Sequence, residues 1–162
     1  MPAYRFVSVW RLRAPIDDVY GVLEDVTGWP DWWQNVRSME RLEDDGPDGI
    51  GGLVRATFVG RLPYLLRFDL RVAERHRPTT LSADATGELE GRGEWTLLEE
   101  GGWTAARYVW AIRTTRPWMN LIAPLPFVDE IFRLNHHAVM RQGLKGIRRR
   151  LGGVDGTYTL EA

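Results

Sequence analysis

Few residues of this chain have the type and the spacing that catalysis needs. His136 and His137 are adjacent, so on a helix they point to different faces and cannot chelate a metal as an i,i+4 pair does. The chain has no cysteine, which excludes disulfides, thiol nucleophiles and thiolate metal sites. Its three serines lack the context of a nucleophile elbow. We therefore expect no metal site and no cofactor.

The remaining candidates are polar side chains that the sequence pattern turns toward an apolar interior. In an apolar pocket a few hydroxyls and amides fix the orientation of a ligand, and a tyrosine or histidine there also moves protons. Tyr108 and His136 are the candidates for an acid/base role. The alternative is structural, with the tyrosines packed in the core and His136 bonded to a loop carbonyl. The full set is Ser8, Tyr64, Tyr108, Trp110, Asn135, His136 and Gln142.

A long C-terminal helix must position several of these residues. The spacing predicts it over Val128–Leu151, a rod of roughly 36 Å at about 1.5 Å per residue. Its inner arc carries two amides, and it thins to Gly143 and Gly146. We interpret this arc as the wall of a cavity, although neighbouring backbone would equally satisfy both amides. The arc consists of Val128, Ile131, Phe132, Asn135, Ala138, Val139 and Gln142.

The rest of the chain alternates as half-buried strands do. Between the first two strands, Ile16–Val26 reads as a helix, and Trp29–Trp33 begins a second short one that acts as a hydrophobic plug or as a ligand-contacting lip. The sequence therefore predicts an α+β fold in which a curved antiparallel sheet of about seven strands wraps the long helix. The predicted strands are Tyr4–Arg13, Val36–Leu42, Leu53–Val59, Tyr64–Val72, Leu81–Thr86, Glu94–Leu98 and Thr104–Thr114.

Bulk properties limit the functional classes. The 162 residues predict one domain over residues 1–152, with a flexible C-terminal tail over residues 153–162. A formal net charge of −1 gives no electrostatic reason to expect nucleic acid as a partner. No segment approaches the roughly 20 apolar residues of a membrane span, so we expect no stable membrane insertion. We expect a cytoplasmic protein that is a monomer or a homodimer.

Three stretches resemble a known family. They are WPDWW at Trp29–Trp33, GELEGRGEW at Gly87–Trp95, and the helix pattern Phe132, Asn135, His136, Met140, Gly143, Leu144. With the element order, they make Tyr4–Leu151 similar to the SRPBCC superfamily of START-like helix-grip domains. The nearer resemblance is to its bacterial polyketide cyclase/dehydrase-like group. The resemblance implies a deep apolar cavity between helix and sheet, suited to a lipid- or polyketide-like molecule.

Two functions remain open from the sequence. The first is binding of a hydrophobic small molecule; the alternative is a polyketide cyclase, aromatase or dehydratase in which Tyr108 or His136 acts as acid/base. A partner protein at the sheet edge is neither supported nor excluded.

The apolar, proline-interrupted segment Arg116–Phe127 is expected to flank the cavity mouth and gate it. The expected ligand-binding residues are Trp10, Phe58, Tyr64, Phe68, Tyr108, Trp110, Phe132, Asn135, Val139 and Gln142.

Overall fold

Eight strands form one antiparallel sheet in the computed structural model, which describes residues 3–161. The strand order is β2-β3-β4-β5-β6-β7-β1-β8, so the first strand pairs with the seventh and the sheet curves back on itself. The strands are β1 (Ala3–Leu12), β2 (Val36–Glu43), β3 (Leu53–Val59), β4 (Leu65–His76), β5 (Thr80–Gly87), β6 (Leu89–Glu100), β7 (Trp103–Thr114) and β8 (Gly156–Glu161).

The helices close the sheet on one side. Helix α1 (Ile16–Glu24) and a 3₁₀ helix (Val26–Asp31) follow β1, a short helix α2 (Pro117–Ile122) follows β7, and α3 (Val128–Arg150) is the long C-terminal helix. Acidic residues occupy the first turn of α3 and three arginines its last turn, as the helix dipole favours. The prediction of an α+β fold with a curved antiparallel sheet around a C-terminal helix is confirmed.

The glycines of helix α3 lie directly against tryptophan residues. The indole N–H groups of Trp10 and Trp33 donate to the main-chain oxygens of Met140 and Val139 at 3.1 and 3.0 Å. A Cβ atom on Gly143 would lie 2.7 Å from both indole rings. The thin part of the helix therefore receives tryptophan rings, and our interpretation of these glycines as gaps beside a cavity was wrong.

The C-terminal segment is ordered in the sheet, which corrects the predicted flexible tail. Residues Gly156–Glu161 pair antiparallel with β1 as an edge strand. The Tyr158 hydroxyl lies 2.6 Å from Nδ1 of His137 and 3.2 Å from Oγ of Ser8. A strand of six residues is too short to show a clear alternation of apolar and polar residues in the sequence. Its position depends instead on pairing with β1 and on contact with α3. Ala162 lies outside the described residues.

Candidate functional site

A cavity of about 170 Å³ lies between the inner face of the sheet and the N-terminal half of α3. Alternation along the strands turns large side chains inward, and several of their rings are nearly parallel. Phe58 stacks on Phe68 at 5.5 Å between ring centroids, and Trp95 stacks on Tyr108 at 4.5 Å. The wall therefore contains pairs of aromatic rings that pack on each other.

The closed end of the cavity is formed by the tryptophan-rich segment Trp29–Trp33, which begins within the 3₁₀ helix and continues past its end. Trp29 and Trp33 line the cavity, whereas Trp32 packs in the core between them and Trp10. The Trp29 indole N–H donates to the Leu23 main-chain oxygen at 3.1 Å, which fixes its ring. The segment is thus a hydrophobic plug that also supplies two cavity walls.

The open end lies where the β3–β4 loop, α2 and α3 meet. The lining residues there, including Leu62, Tyr64 and Phe132, keep some exposure, whereas those at the closed end are buried. Met119 of α2 also lines the cavity, and Tyr64 packs edge-on against Trp118 with ring centroids 5.1 Å apart. The segment Arg116–Phe127 therefore does flank the cavity; its gating role stays a prediction.

Two polar atoms of lining residues are buried without a hydrogen-bond partner in residues 3–161. They are Oγ of Ser82 and Nε2 of His136. The Tyr4 hydroxyl instead lies beside Asp129: burial and, after it, the charge of Asp129 and a hydrogen bond to its side chain raise the pKa of Tyr4, so its hydroxyl stays neutral. An unpaired buried polar group costs about 1–3 kcal/mol, so each atom is a place where a ligand or a water molecule gains a hydrogen bond.

The sequence did not predict Ser82 as a lining residue, because the alternation along its strand places it on the same face as Asp84. A register shift in the neighbouring strand, at Val72/Glu74, lies beside it. Such a shift changes which side chains face inward, and it depends on strand pairing rather than on the local pattern.

The two candidate acid/base residues both border the cavity and are enclosed by protein. Burial lowers the pKa of His136 from its usual 6.5 to about 3, with a smaller contribution from the neighbouring His137. The imidazole also stacks on Phe6 at 4.6 Å. Burial raises the pKa of Tyr108 well above its ordinary 10. At neutral pH the cavity therefore holds a neutral imidazole and a neutral phenol.

Asn135 lines the cavity, but its amide already serves the fold. Its Oδ1 accepts a hydrogen bond from the Arg61 backbone N–H at 2.8 Å, which ties the β3–β4 loop to α3. The Asn135 amide was predicted either to contact a ligand or to bond to neighbouring backbone, and this hydrogen bond supports the second role. A ligand contact through its remaining N–H groups stays a prediction.

Three predicted interior residues lie outside the cavity. Gln142 is half-buried on α3 beyond the lining, and Trp10 is fully buried beneath the helix. Ser8 is buried too, but its hydroxyl faces Tyr158. The cavity ends where Trp10 and Trp33 pack on the helix, so residues past that point cannot reach it.

The other predicted site residues do come together. Contact of these residues with a ligand stays a prediction. The predicted residues that line the cavity are Phe58, Tyr64, Phe68, Tyr108, Trp110, Phe132, Asn135, His136 and Val139. Lining residues that the predicted binding set did not include are, among others, Ser82, Trp95 and Met140. Trp29 and Trp33, which belong to the stretch predicted as a hydrophobic plug or a ligand-contacting lip, also line the cavity.

Within residues 3–161 there is no group of three or more His, Asp or Glu side chains that could hold a metal ion. Over the same range, no helix combines the length and the apolar composition needed to cross a membrane.

Comparison with known proteins identifies the family. Residues 5–152 match the family described as "Polyketide cyclase / dehydrase and lipid transport". The chain belongs to the polyketide cyclase/dehydrase and lipid transport family. This confirms the resemblance inferred from the sequence. No curated protein has significant sequence similarity to this family member.

Solved structures share the fold of this polyketide cyclase/dehydrase family member. A START superfamily protein from Mycobacterium smegmatis has a TM-score of 0.73 at 14% identity, covering 91% of this chain and 99% of that one. A protein from Thermus thermophilus has a TM-score of 0.71 at 18% identity, with coverages of 92% and 99%. The Zhui aromatase/cyclase from Streptomyces sp. R1128 has a TM-score of 0.64 at 18% identity, with 93% of each chain covered. At these identities the likeness concerns the fold alone.

Proposed function

We propose that this protein binds a hydrophobic small molecule, lipid- or polyketide-like, in the cavity between the sheet and α3. The observation that carries the proposal is an apolar, aromatic cavity bordered by Ser82 and His136, whose Oγ and Nε2 atoms are buried without a hydrogen-bond partner among residues 3–161. Apolar walls supply affinity, and a few polar groups set orientation. Membership of a family whose description includes lipid transport supports the same reading.

The dimensions of the cavity limit the part of the ligand that it encloses. An apolar cavity of about 150 Å³ holds a benzene molecule. The 170 Å³ cavity thus encloses a single substituted ring or a short branched chain as it stands. A larger ligand extends through the open end, or displaces the side chains around Tyr64 and Phe132.

Calorimetric titration with toluene and p-cresol tests the proposal. Val139 lines the cavity, so Val139→Phe should fill it and weaken both ligands by about tenfold or more, since burial of an aromatic ring is lost. Ser82→Ala should weaken p-cresol about fivefold, the value of one hydrogen bond, and spare toluene. Leu98→Phe, at an exposed position far from the cavity, is the control. Equal binding by wild type and Val139→Phe would refute the cavity as the site.

The alternative proposal is a cyclase, aromatase or dehydratase that uses Tyr108 or His136. It is supported by the presence of both side chains in one cavity and by the aromatase/cyclase among the structural neighbours. Against it, burial keeps the pKa of His136 near 3, so the imidazole accepts a proton poorly at neutral pH. None of the described lining residues is a carboxylate or a cation. Both groups are better suited to hydrogen bonding than to proton transfer, so binding is the preferred function.

The remaining expectations about the setting of the protein stay predictions. They are a cytoplasmic location, a monomeric or homodimeric state, and the absence of nucleic acid as a partner. Size-exclusion chromatography with light scattering measures the oligomeric state directly. A stable higher oligomer would contradict that part of the proposal.

A further inference from the structure

The hydroxyl group of Tyr108 has a fixed position in the cavity wall. Its ring stacks on that of Trp95, with centroids 4.5 Å apart, and lies nearly parallel to that of Trp110, with centroids 6.0 Å apart. Trp95 is the direct partner of Tyr108 in the pairing of β6 with β7. Contact with two indoles on neighbouring strands leaves the phenol little freedom to turn, so its hydroxyl stays in one place.

A glycine on β6 leaves the space that this hydroxyl occupies. A Cβ atom on Gly93 would lie 2.5 Å from the Tyr108 hydroxyl oxygen and 3.0 Å from the ring of Trp110. A side chain at position 93 would therefore push the phenol aside. Gly93 belongs to the stretch Gly87–Trp95 and lines the cavity together with Tyr108 and Trp110. The absence of a side chain at this position decides where the hydroxyl lies.

The Tyr108 hydroxyl is a neutral donor that the fold leaves free. Burial raises the pKa of Tyr108, with no contribution from a charged group or a hydrogen bond, so within residues 3–161 no side chain engages the hydroxyl. An enclosed polar group without a partner is costly, and a phenol that keeps its proton donates to an acceptor atom. A carbonyl oxygen on a ligand is such an acceptor.

The rest of the cavity wall is uncharged as well. No Asp, Glu, Lys or Arg is among the described lining residues, and burial keeps the His136 imidazole neutral. The guanidinium of Arg116, in the segment that flanks the cavity, is already paired with Glu88. Burial and then the charge of Asp129 raise the pKa of Tyr4, so the same carboxylate would repel an anion. An ion that entered this cavity would lose its hydration without gaining an opposite charge.

We propose that the cavity selects an uncharged ligand that carries a carbonyl-type acceptor, and that Tyr108 donates to this acceptor from a position set by Gly93. The inference rests on the proposed binding function and names the class of ligand within it. Ketones and similar neutral molecules belong to this class, whereas carboxylates and amines do not. Tyr108 is then a specificity-determining residue that keeps its proton.

Three single-ring probes of similar shape test the selectivity by calorimetric titration at pH 7. Acetophenone offers a carbonyl oxygen, cumene has a methyl group in its place, and benzoate carries a negative charge. Wild type should bind acetophenone and cumene, whereas benzoate should bind at least about 100-fold more weakly than acetophenone, since an ion is buried unpaired. Tyr108→Phe should weaken acetophenone about fivefold, the value of one hydrogen bond, and leave cumene unchanged.

A double-mutant cycle tests the role of Gly93. Gly93→Ala should lower the ratio of acetophenone affinity to cumene affinity and should also lower the melting temperature, because its Cβ overlaps the phenol oxygen. Tyr108→Phe removes that oxygen, so the double variant should regain part of the lost melting temperature. A loss in Gly93→Ala that is the same with and without the Tyr108 hydroxyl would contradict the proposed geometry.

Matched controls separate the selectivity from other causes. Tyr158→Phe removes a hydroxyl that bonds to His137 outside the cavity, and it should leave the affinities for all three probes unchanged. Loss of cumene in Val139→Phe identifies the cavity as the site without reference to hydrogen bonding or charge, so the proposed function and the selectivity fail separately. Benzoate that binds as tightly as acetophenone would overturn the selectivity, and so would equal losses of acetophenone and cumene in Tyr108→Phe. Absence of binding by all three probes would overturn both proposals.

Discussion

Replacing His136 with phenylalanine should remove much of the acid sensitivity of folding. The imidazole stacks on Phe6 at 4.6 Å and lies in an apolar wall, so a phenyl ring keeps the packing and removes the titrating group. Burial lowers the pKa of His136 to about 3 in the native state, against an ordinary 6.5. As the pH falls, the unfolded chain therefore takes up this proton before the native protein does.

The size of the effect follows from that difference in pKa. The stability contributed by the neutral imidazole is complete above about pH 6.5 and is lost as the pH falls toward about 3. Each pH unit within this window costs about 1.4 kcal/mol per proton. Between pH 7 and pH 5 the wild-type protein should lose about 2 kcal/mol of unfolding free energy through His136 alone. His137, whose pKa burial also lowers, accounts for part of any remaining loss.

Urea unfolding at pH 7 and pH 5, followed by tryptophan fluorescence, measures the difference. The loss between the two pH values should be about 2 kcal/mol smaller in His136→Phe than in wild type. Tyr108→Phe is the control, because it alters the same cavity at a group whose raised pKa keeps it neutral throughout. Equal losses in wild type and His136→Phe would refute the inference that the buried imidazole is neutral. An NMR titration of its ring protons with a midpoint near 6.5 would refute it as well.

Three further predictions concern the helix, the edge strand and the mouth. Gly146→Ala should destabilise the protein by about 3 kcal/mol or more, because its Cβ would overlap the Trp32 main-chain oxygen and backbone must move. Tyr158→Phe should cost about 1 kcal/mol, since it breaks the half-buried hydrogen bond with His137; chemical denaturation measures both losses. Backbone amides of Arg116–Phe127 should exchange more slowly with p-cresol bound, as mass spectrometry can show, if the segment gates the cavity.

Each of these predictions has a contradicting outcome. Lys145→Ala, an exposed change beside Gly146 on the same helix, should alter stability by less than about 0.5 kcal/mol; an equally mild Gly146→Ala would show that the helix does not press on the 3₁₀ helix. A Tyr158→Phe variant as stable as wild type would mean that β8 is held by backbone pairing alone. Identical exchange with and without p-cresol would leave no gate in Arg116–Phe127.

Local periodicity in the sequence determined most of the architecture. Alternation with a period of two placed β1, β3, β4, β5 and β7, and the 3.6-residue period placed α3 within one residue of its observed end. For β6 only Glu94–Leu98 was predicted, whereas the strand spans Leu89–Glu100. These periodicities can be read from a single element without knowledge of its neighbours, because each depends only on which face of that element is apolar. For the same reason Phe58, Phe68 and Tyr108 could be assigned to the interior before their neighbours were known.

Which interior residues border empty space was decided only by the tertiary structure. Packing of Trp10 and Trp33 against Gly143 fills one half of the inner helix face and leaves the other half as cavity wall. Asn135 is committed to a loop 74 residues earlier in the chain, a partner that no local pattern identifies. An apolar face has the same sequence whether it meets a solid core or a void, because the difference depends on the volume of side chains brought from distant elements.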